Sequence, residues 1–318
     1  MVVNQEISIS NMPTVNAICV SDRRGIQKHP VESATLRENF GIDGDAHAGD
    51  WHRQISLLSK QDVDAFIARG AVVKPGDFGE NIIVDGVDVS ALPIGTMLQI
   101  NNVLLRLTQR GKECHTHCQI YHKMGECIMP RLGVFAEVLH GGNIVVGDEI
   151  KIMDDVDTRF TAAVITMSDR CFNKESEDIS GPTIIKYLED NDYRIVETMI
   201  LPDNKVLLKK ELIRLADQRE VDLILTTGGT GFSLRDVTPE ATKEVIEREV
   251  PGISEAIRYE SLKITKHAML SRAVSGIRNK TLIINLPGSP KACIESMDVF
   301  IKTIPHGIRL LKGEKVDK

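Results

Sequence analysis

Hydrophobic residues in the first half of the chain fall in short runs that are separated by polar and glycine-rich turns. Six segments between residue 14 and about residue 153 have the length and composition of β-strands: TVNAICV, QISLL, MLQI, VLLRLT, FAEVLH and EIKIM. Turn signals such as PGDFGEN, VDGVD and HGGN lie between them. Only SKQDVDAFIARG, which begins with serine and ends with glycine, has a convincing helical period. The pattern predicts an all-β domain, either a barrel or a sandwich.

The second half has a different pattern, in which apolar runs alternate with amphipathic segments. The runs AAVITMS, RIVETMI, DLILTT and TLIINLP are typical of buried strands. Between and after them, SGPTIIKYLEDN, KVLLKKELIRLADQR, TPEATKEVIERE and SPKACIESMDVFIKTI are typical of helices. This alternation predicts an α/β three-layer domain with a mainly parallel sheet. The acidic stretch 153–159 marks the boundary, so we expect one domain over residues 1–155 and another over residues 156–318.

Composition narrows the range of partners. The chain has 318 residues, 42% of them hydrophobic and 26% charged, which is ordinary for a globular protein of about two domains. Its net charge is −6 and it has no run of Lys and Arg with interleaved aromatic residues, so nucleic acid is not an expected partner. No apolar run approaches the roughly 18 residues of a membrane span, and the start MVVNQEISIS does not resemble a secretion signal. We therefore expect a cytoplasmic protein without a membrane partner, whose six cysteines are reduced thiols, metal ligands or catalytic groups.

Unusual residues follow each predicted strand of the second half. The segments SDRC, LPDN, TTGGTG and LPGSP come after the first, second, third and fourth strands. Ligands of open parallel sheets bind at the carboxyl ends of the strands, so these segments predict one shared site. Gly228, Gly229 and Gly231 form a loop that could bring backbone N–H groups close to a phosphate. It matches neither GxxxxGK[ST] nor GxGxxG, and a tight turn into a helix is the alternative interpretation.

Two carboxylates strengthen the phosphate interpretation. Asp203 follows the second predicted strand and Asp236 follows the glycine loop, so the topology can bring both to one crevice. Carboxylates combined with substrate phosphates are the usual ligands of Mg²⁺ in proteins. Such a site suits phosphoryl or nucleotidyl transfer, where positioning and charge neutralisation supply most of the catalysis. The alternative for each aspartate is a helix N-cap, and Asp236 could also simply shape its turn.

These motifs together resemble the molybdopterin adenylyltransferase family, often called MoaB/Mog, over residues 160 to about 312. The resemblance is carried, in order, by VITMSDR, SEDISGP, LPDN, TTGGTGFSLRDVTPEAT, PGISEAIR and MLSRAVSGIRNKTLIINLPGSPKA. It implies an αβα domain, commonly trimeric, that transfers AMP from Mg-ATP to the terminal phosphate of molybdopterin and releases pyrophosphate. It also implies the molybdenum insertion machinery as a partner. It does not separate molybdenum from tungsten as the final metal.

The resemblance assigns roles to particular positions. Asp203 and Asp236 match the acidic positions associated with magnesium and catalysis. The positions that match nucleotide- and pterin-binding motifs are Ser168, Asp169, Ser180, Gly181, Pro182, Gly228, Gly229, Thr230, Gly231, Pro287, Gly288 and Ser289. One local departure is the segment RCFNKESED, which has no glycine where we expect many relatives to carry one. The departure concerns the conformation of that loop.

A dense group of thiols and imidazoles lies in the first half, in QRGKECHTHCQIYHKMGEC. Its members are Cys114, His115, His117, Cys118, His122 and Cys127. Zinc is one interpretation, although the spacing is not that of a standard zinc finger or ribbon. A second interpretation makes one thiol a nucleophile or a soft metal ligand, since Lys112 and the histidines would lower its pKa. The third interpretation is purely structural, with semi-buried cysteines and surface histidines.

The first half also resembles a known family, the MOSC domain, over residues 12 to 153. The segments GIDGDAHAGDWHRQISLLS, PGDFGENIIV, LPIGTMLQI, LLRLTQRGKEC and GGNIVVGDEI carry the resemblance. It implies a β-barrel that binds the molybdenum cofactor and carries sulfur, or ligates metal, through one cysteine in a KxC context. Cys114 matches that cysteine, and His47, His52 and Asn81 match further motif positions.

Two resemblances in one chain indicate a single pathway. The leading hypothesis is an enzyme that transfers AMP, with a fusion that raises the effective concentration of the activated pterin near the first domain. A binding module that carries molybdopterin or finished cofactor without turnover is the alternative, and the magnesium carboxylates argue for the enzyme. A separate sulfur-transfer or reductase role of the first half stays open.

Overall fold

The computed structural model describes residues 12–112, 121 and 124–314. The chain divides into two compact units, Met1–Asp157 and Thr158–Lys318. Each unit has buried apolar clusters of its own. Within the described residues, no helix combines the length and apolar character that a membrane span requires.

The first unit is built mainly of β-strands. Its strands are β1 (Thr14–Val20), β2 (His29–Val31), β3 (Ser33–Arg37), β4 (Gly41–Ile42), β5 (Ile55–Ser59), β6 (Ile82–Asp85), β7 (Met97–Ile100), β8 (Val103–Arg110), β9 (Val134–His140), β10 (Gly142–Val145) and β11 (Ile150–Met153). Two short helices, α1 (Lys60–Ala68) and α2 (Met129–Leu132), and a 3-10 turn at Val89–Ala91 accompany them. All six strands expected from the hydrophobic pattern are present. The additional strands are short or half-exposed, so they lack the alternation by which a strand is recognised.

Two sheets organise these strands. The larger has the order β11-β7-β8-β9-β5-β6-β1-β2 and the smaller has the order β10-β3-β4. Alternate residues of β8, such as Val103, Leu105 and Leu107, are fully buried in the main core of the unit. This period of two residues is what a sheet with one face on a core requires.

The two edges of the larger sheet, near β1 and β11, meet at only a few residues. The start of β1 approaches the segment before β11, since Val15 N donates to Asp148 O at 2.9 Å and Gly147 N donates to Val15 O at 2.8 Å. Only one isolated bridge, Thr14 with Glu149, joins these edges among the described residues. Further along, at residues 18–20, β1 pairs with β2 instead, while β6 pairs with β1 from Thr14 to Ile18. The all-β prediction is therefore confirmed for this unit, whereas a closed barrel is not.

The second unit has the predicted α/β architecture. Its strands are β12 (Thr161–Met167), β13 (Arg194–Leu201), β14 (Leu223–Thr227), β15 (Arg248–Glu249), β16 (Ser275–Arg278) and β17 (Thr281–Leu286). Its helices are α3 (Asp169–Phe172), α4 (Ser180–Asp190), α5 (Lys205–Ile213), α6 (Thr238–Lys243), α7 (Pro251–Leu262), α8 (Pro290–Phe300) and α9 (Ile304–Lys312), with a π-helical turn at Arg214–Gln218 after α5 and a 3-10 turn at Lys266–Leu270. The sheet order is β13-β12-β14-β17-β16-β15.

Four of these strands, β13, β12, β14 and β17, are parallel, and all but the edge strand β13 are buried on both faces. Val164, Leu225 and Ile284 are neighbours across β12, β14 and β17. Ala162 and Val164 belong to one apolar cluster, which includes residues of α4, α8 and α9, and the alternating Ala163 and Ile165 belong to another, which includes residues of α5 and α6. Helices therefore cover both sides of the sheet, as the continuous apolar strands predict.

Helix boundaries differ from the prediction at two places. The segment TPEATKEVIERE is helical only to Lys243, because the chain then enters the edge strand β15, which pairs antiparallel with β16. The helix α7, which begins at Pro251, and the separate helix α9 were not predicted. Proline is well suited to the first turn of a helix, so Pro251 could have indicated the start of α7 from the sequence.

The glycine-free segment after Asp169 contains a residue in the left-handed region. Lys174 has φ +61°, and its N–H donates to Cys171 O at 3.1 Å where α3 ends. This conformation costs a residue with a Cβ roughly 1–2 kcal/mol, and glycine adopts it freely. Lys174 therefore occupies a backbone conformation that a glycine would adopt with less strain.

We expect Lys174→Gly to stabilise the second unit by about 0.5–1 kcal/mol, because relief of the backbone strain exceeds the added entropy of the unfolded chain. Urea unfolding of the full chain measures this change. Lys174→Ala is the matched control, since it removes the same side chain but keeps the Cβ, and it should give no gain. A loss of stability in Lys174→Gly would contradict the interpretation.

Candidate active site

Loops that follow the parallel strands meet at one edge of the second unit. Ser168 N donates to Leu201 O at 2.9 Å, which joins the ends of β12 and β13. Thr227 Oγ1 donates to Pro287 O at 2.7 Å, which joins the ends of β14 and β17. The structure therefore brings together the four segments that the sequence placed at the strand ends.

Close packing explains two of the glycines in the loop after β14. Gly228 and Gly229 have φ +90° and +64°, a region that favours glycine. A Cβ on Gly228 would overlap the carbonyl oxygen of Met167, and one on Gly229 would overlap the Thr238 hydroxyl. Thr238 also fastens the loop, since its Oγ1 donates to Gly228 O at 2.9 Å. The loop thus presents bare backbone at the strand ends.

Arg272 holds the other side of the glycine loop. Its N–H donates to Thr230 O at 3.0 Å, and its guanidinium donates to Gly231 O at 2.5 Å and to Asp236 O at 2.6 Å. It also pairs with Glu240. Sequence reasoning missed this residue, because an arginine 41 positions beyond Gly231 carries no local signal of the contact.

Both predicted carboxylates lie against the glycine loop. Asp203 Oδ1 is 3.4 Å from the position that a Cβ on Gly229 would take, and Asp236 Oδ2 is 2.9 Å from the corresponding position on Gly231. Asp236 Oδ2 also accepts from Ser233 N at 2.9 Å.

Neither aspartate has the helix-capping role that was the alternative. Asn204 caps α5, with its side chain accepting from the N–H groups of Val206 and Leu207. The residue before α6 is Val237, so Asp236 does not occupy the capping position. Asp236 does shape its turn, as the other alternative had it, because its Oδ2 accepts from Ser233 N and its own N–H donates to Ser233 O at 3.0 Å.

Asp169 is the third carboxylate of the site. Its N–H donates to Asp203 Oδ2 at 3.2 Å, and Asp203 N donates back to Asp169 Oδ1 at 3.0 Å. Arg235, an exposed residue of the glycine-loop segment, donates from Nε to Asp169 Oδ2 at 3.0 Å. Asp169 was predicted as a site residue from its motif, whereas the contact of Arg235 with Asp169 was not predicted.

Negative charge dominates this group. Burial raises the pKa of Asp203, and the nearby carboxylates of Asp169 and Asp236 raise it further. The hydrogen bond from Arg235 lowers the pKa of Asp169. Arg235 pairs with Asp169 and Arg272 pairs with Glu240, so the carboxyl groups of Asp203 and Asp236 are left without an ion-pair partner of their own among the contacts described above, which favours the approach of a further cation.

The remaining candidate residues shape the walls of the site. Ser180 Oγ donates to Gly288 O at 2.8 Å, and Gly288 packs on Gly228. Ser168 caps α3 and Ser289 caps α8. These side chains are held by internal hydrogen bonds.

Three further candidates lie within the same packing. Gly181 lies where a Cβ would overlap the carboxylate of Asp178. Thr230 is buried, and Pro287 contributes its carbonyl oxygen to Thr227. Close contacts of this kind fix the position of the strand-end loops.

Among the described residues, no group of three or more His, Cys, Asp or Glu side chains is close enough to hold a metal ion by itself. This arrangement still fits magnesium, which commonly binds one or two carboxylates and takes its other ligands from substrate phosphates and water.

A second polar centre lies in the first unit and includes two residues that the sequence singled out. Lys28 and Asp45 form an ion pair with 1% of each side chain exposed. Asn81 Nδ2 donates to Asp45 Oδ2 at 2.6 Å, and His47 Nδ1 lies 3.3 Å from Lys28 Nζ. Burial raises the pKa of Asp45, but the hydrogen bonds from Lys28 and Asn81 and the positive charge of Lys28 hold that pKa well below its ordinary value. Lys28 and Asp45 were not predicted.

The thiol cluster of the first half lies largely beyond the described residues. Cys114, with Cys118 and the neighbouring histidines, falls there, and only Cys127 is described, as a half-buried residue. Thr108 Oγ1 donates to His52 O at 2.6 Å, so the end of β8, from which the chain runs toward Cys114, lies beside the loop of His47 and His52. The zinc and thiol interpretations stay predictions.

Known proteins resemble each half separately. Residues 163–306 match a family described as "Probable molybdopterin binding domain", and residues 7–151 match one described as "MOSC domain". A Helicobacter pylori (strain J99) protein named molybdopterin adenylyltransferase is 43% identical over 152 residues, which are 47% of this chain and 86% of that protein. The Drosophila melanogaster molybdenum cofactor synthesis protein cinnamon is 43% identical over 153 residues, which are 48% of this chain but only 25% of cinnamon. A solved structure also resembles the second half. The structure of MoaB from Thermus thermophilus is 41% identical to this chain, and the match covers 50% of this chain and 99% of the MoaB chain, with a TM-score of 0.47. Both resemblances seen in the sequence are confirmed.

Glu80 gives the first unit a pH-dependent stability. It is fully buried, Gly76 N donates to its Oε1 at 2.7 Å, and burial raises its pKa from 4.5 to about 7. The folded state therefore holds the proton more tightly than the unfolded state does. Stability from this group is complete below pH 4.5, falls as the pH rises through about 7, and is constant above that.

Ionisation of Glu80 should lower the free energy of unfolding of the wild-type protein by about 2 kcal/mol between about pH 5 and about pH 8. We expect this part of the pH dependence to be absent in Glu80→Gln. Urea unfolding at both pH values measures the difference. Glu38→Gln is the control, because Glu38 is an exposed residue of the same unit. Identical pH dependence in wild type and Glu80→Gln would contradict the assignment.

Proposed function

The chain belongs to the molybdopterin adenylyltransferase family through its second half, and we propose from this that the second unit transfers AMP from ATP to molybdopterin and releases pyrophosphate. The observation that carries the proposal is the placement of Asp203 and Asp236 against the glycine loop. A carrier that only holds the pterin phosphate needs hydrogen-bond donors there and has no use for clustered carboxylates.

The bare backbone of the glycine loop supports phosphate binding. Side chains are excluded at Gly228 and Gly229 by the Met167 carbonyl and by Thr238. A phosphate would approach the main chain from the side opposite these groups, and hydrogen bonds from Thr238 and Arg272 keep the loop in one conformation. A preorganised loop of this kind needs no reorganisation when charge develops in the transition state.

Magnesium fits the charge of the site. The carboxylates crowd one another enough to raise the pKa of Asp203, after burial, and a divalent cation would relieve this repulsion. Asp203 and Asp236 would hold Mg²⁺, which when bound supplies charge neutralisation for the transferred phosphate. Asp169 keeps Asp203 in place through their paired hydrogen bonds, and Arg235 offers a second positive charge beside them.

The finer assignments for the rest of the protein are also proposals. The first unit binds the molybdenum cofactor or carries sulfur through Cys114; the match to the MOSC domain supports this role. We place the protein in the cytoplasm, as a homo-oligomer of the trimeric kind implied by the family, acting before the molybdenum insertion machinery. Exposed apolar side chains at Tyr259, Leu262 and Ile264 support self-association.

One assay separates the enzyme from a carrier. Purified full-length protein is mixed with molybdopterin, Mg²⁺ and ATP labelled at the α-phosphate, and the label on the pterin is followed together with pyrophosphate release. Labelled pterin with stoichiometric pyrophosphate establishes AMP transfer. Tight pterin binding without label would instead identify a carrier.

We expect Asp236→Asn to lower the rate of AMP transfer at least about 100-fold while pterin binding is largely preserved. The asparagine oxygen can still accept from Ser233 N, so the loop keeps its shape and loses only the charge. Asp190→Asn is the matched control, since Asp190 is an exposed residue at the end of α4 that pairs with Lys186. Unchanged turnover in Asp236→Asn would remove Asp236 from the mechanism.

A further inference from the structure

Three acceptor atoms surround the buried ammonium group of Lys28. Its Nζ donates to Asp45 Oδ1 at 2.7 Å and to Asp45 Oδ2, and it lies 3.3 Å from His47 Nδ1. Within the described part of the chain, these are the atoms that Nζ contacts at hydrogen-bond distance. An ammonium has three protons, and only 1% of this side chain is exposed, so each proton needs an acceptor from the protein.

Counting protons assigns the tautomer of His47. The two oxygens of Asp45 take two ammonium protons, and the third remains for His47 Nδ1. Nδ1 must then present its lone pair, which places the ring proton of the neutral imidazole on Nε2.

The opposite tautomer is disfavoured by its contacts. A proton on Nδ1 would face the ammonium protons at 3.3 Å, so two donors would meet with no acceptor between them. Its one possible acceptor, Asp45 Oδ1, lies 3.5 Å away and already accepts from Lys28 and from the hydroxyl of Ser21. A buried ammonium proton without an acceptor is strongly unfavourable, because its lost hydration is not replaced by a hydrogen bond.

The other side of the ring is the accessible one. The His47 side chain is 36% exposed although its Nδ1 contacts the buried pair, so ring geometry directs Nε2 away from Lys28. Around it, Arg24 Nε donates to Ala46 O at 3.0 Å, and Trp51 Nε1 donates to His47 O at 3.0 Å. The guanidinium of Arg53 lies 4.6 Å from the Trp51 ring centroid. Arg24 Nε and Trp51 Nε1 are thus used within the loop, and the positive charge that the loop offers to an anion comes from the guanidinium groups of Arg24 and Arg53.

We propose that His47 is a hydrogen-bond donor to an oxyanion, held in its Nε2-protonated form by the buried Lys28–Asp45 pair. This role does not depend on AMP transfer by the second unit. It also distinguishes His47 from a metal ligand, since a nitrogen that carries a proton has no lone pair for a metal. The ligand is a phosphate-like group, either free or as an ester.

Two-bond ¹H–¹⁵N spectra of the full-length protein, labelled with ¹⁵N-histidine, read the tautomer directly. His47→Gln identifies the His47 signals by their loss, and the exposed His29 and His140 are internal controls for imidazoles that have no buried ammonium partner. A lone-pair nitrogen at Nδ1 and a protonated Nε2 at neutral pH support the proposal. A protonated Nδ1 overturns it, and this result requires no destabilising variant.

The role of the ammonium is tested by Lys28→Met combined with Asp45→Asn, which removes both charges together. Breaking the pair at one partner alone would leave an uncompensated buried charge and endanger folding. In the folded double variant, His47 should give a mixture of tautomers like those of His29 and His140. Retention of the wild-type tautomer would show that Lys28 does not set it.

The ligand class is tested by titrating inorganic phosphate and, in parallel, phenyl phosphate while the His47 signals are followed. Saturable shifts with either probe support the oxyanion site, and the tighter probe identifies a free anion or an ester. His47→Leu should weaken binding at least about tenfold, whereas His47→Gln, which keeps a side-chain N–H, should stay within a few-fold of wild type. The proposal fails if neither probe shifts His47, or if Zn²⁺ shifts His47 while phosphate does not.

Discussion

The parallel register of β13, β12, β14 and β17 is the constraint on which the rest of the candidate site depends. Met167 lies opposite Leu201, and Thr227 lies between Thr166 and Leu286, so the strands stop at one level. Their loops are then forced within van der Waals distance of one another. Glycine at Gly228 follows from this crowding, because the Met167 carbonyl occupies the space of a side chain. Chemistry from distant parts of the chain is concentrated at one sheet edge without long loops.

Charge is handled in opposite ways in the two units. In the first unit, Lys28 and Asp45 neutralise each other inside the protein, and the surrounding groups satisfy both. In the second unit, Asp203 is crowded by two other carboxylates, and its pKa is raised by burial and by this repulsion. A neutral buried pair serves to fix a neighbouring side chain, whereas a group of carboxylates that is only partly neutralised by Arg235 favours a bound cation.

Local chemistry made part of this arrangement predictable. The apolar strands of the second unit are continuous because both faces are buried, and the glycine loop follows one of them directly, so the site could be assigned to the strand ends. Short strands such as β2 and β4 have too few residues for a period to show, and they were missed. The contacts of Arg235 with Asp169 and of Arg272 with Gly231 join residues 66 and 41 positions apart, and no local pattern signals them.

The amino-acid sequence by itself determined the division into two halves, the β-rich and α/β characters of those halves, and the residue types gathered at the strand ends. Hydrophobic periodicity and turn chemistry act over a few neighbouring residues, and so they can be read without coordinates. Only the tertiary structure decided that Asp203 and Asp236 lie on the glycine loop rather than cap helices, that Lys28 lies beneath His47, and that the first sheet is not closed. These outcomes depend on strand register and side-chain burial, which arise from contacts between residues distant in sequence.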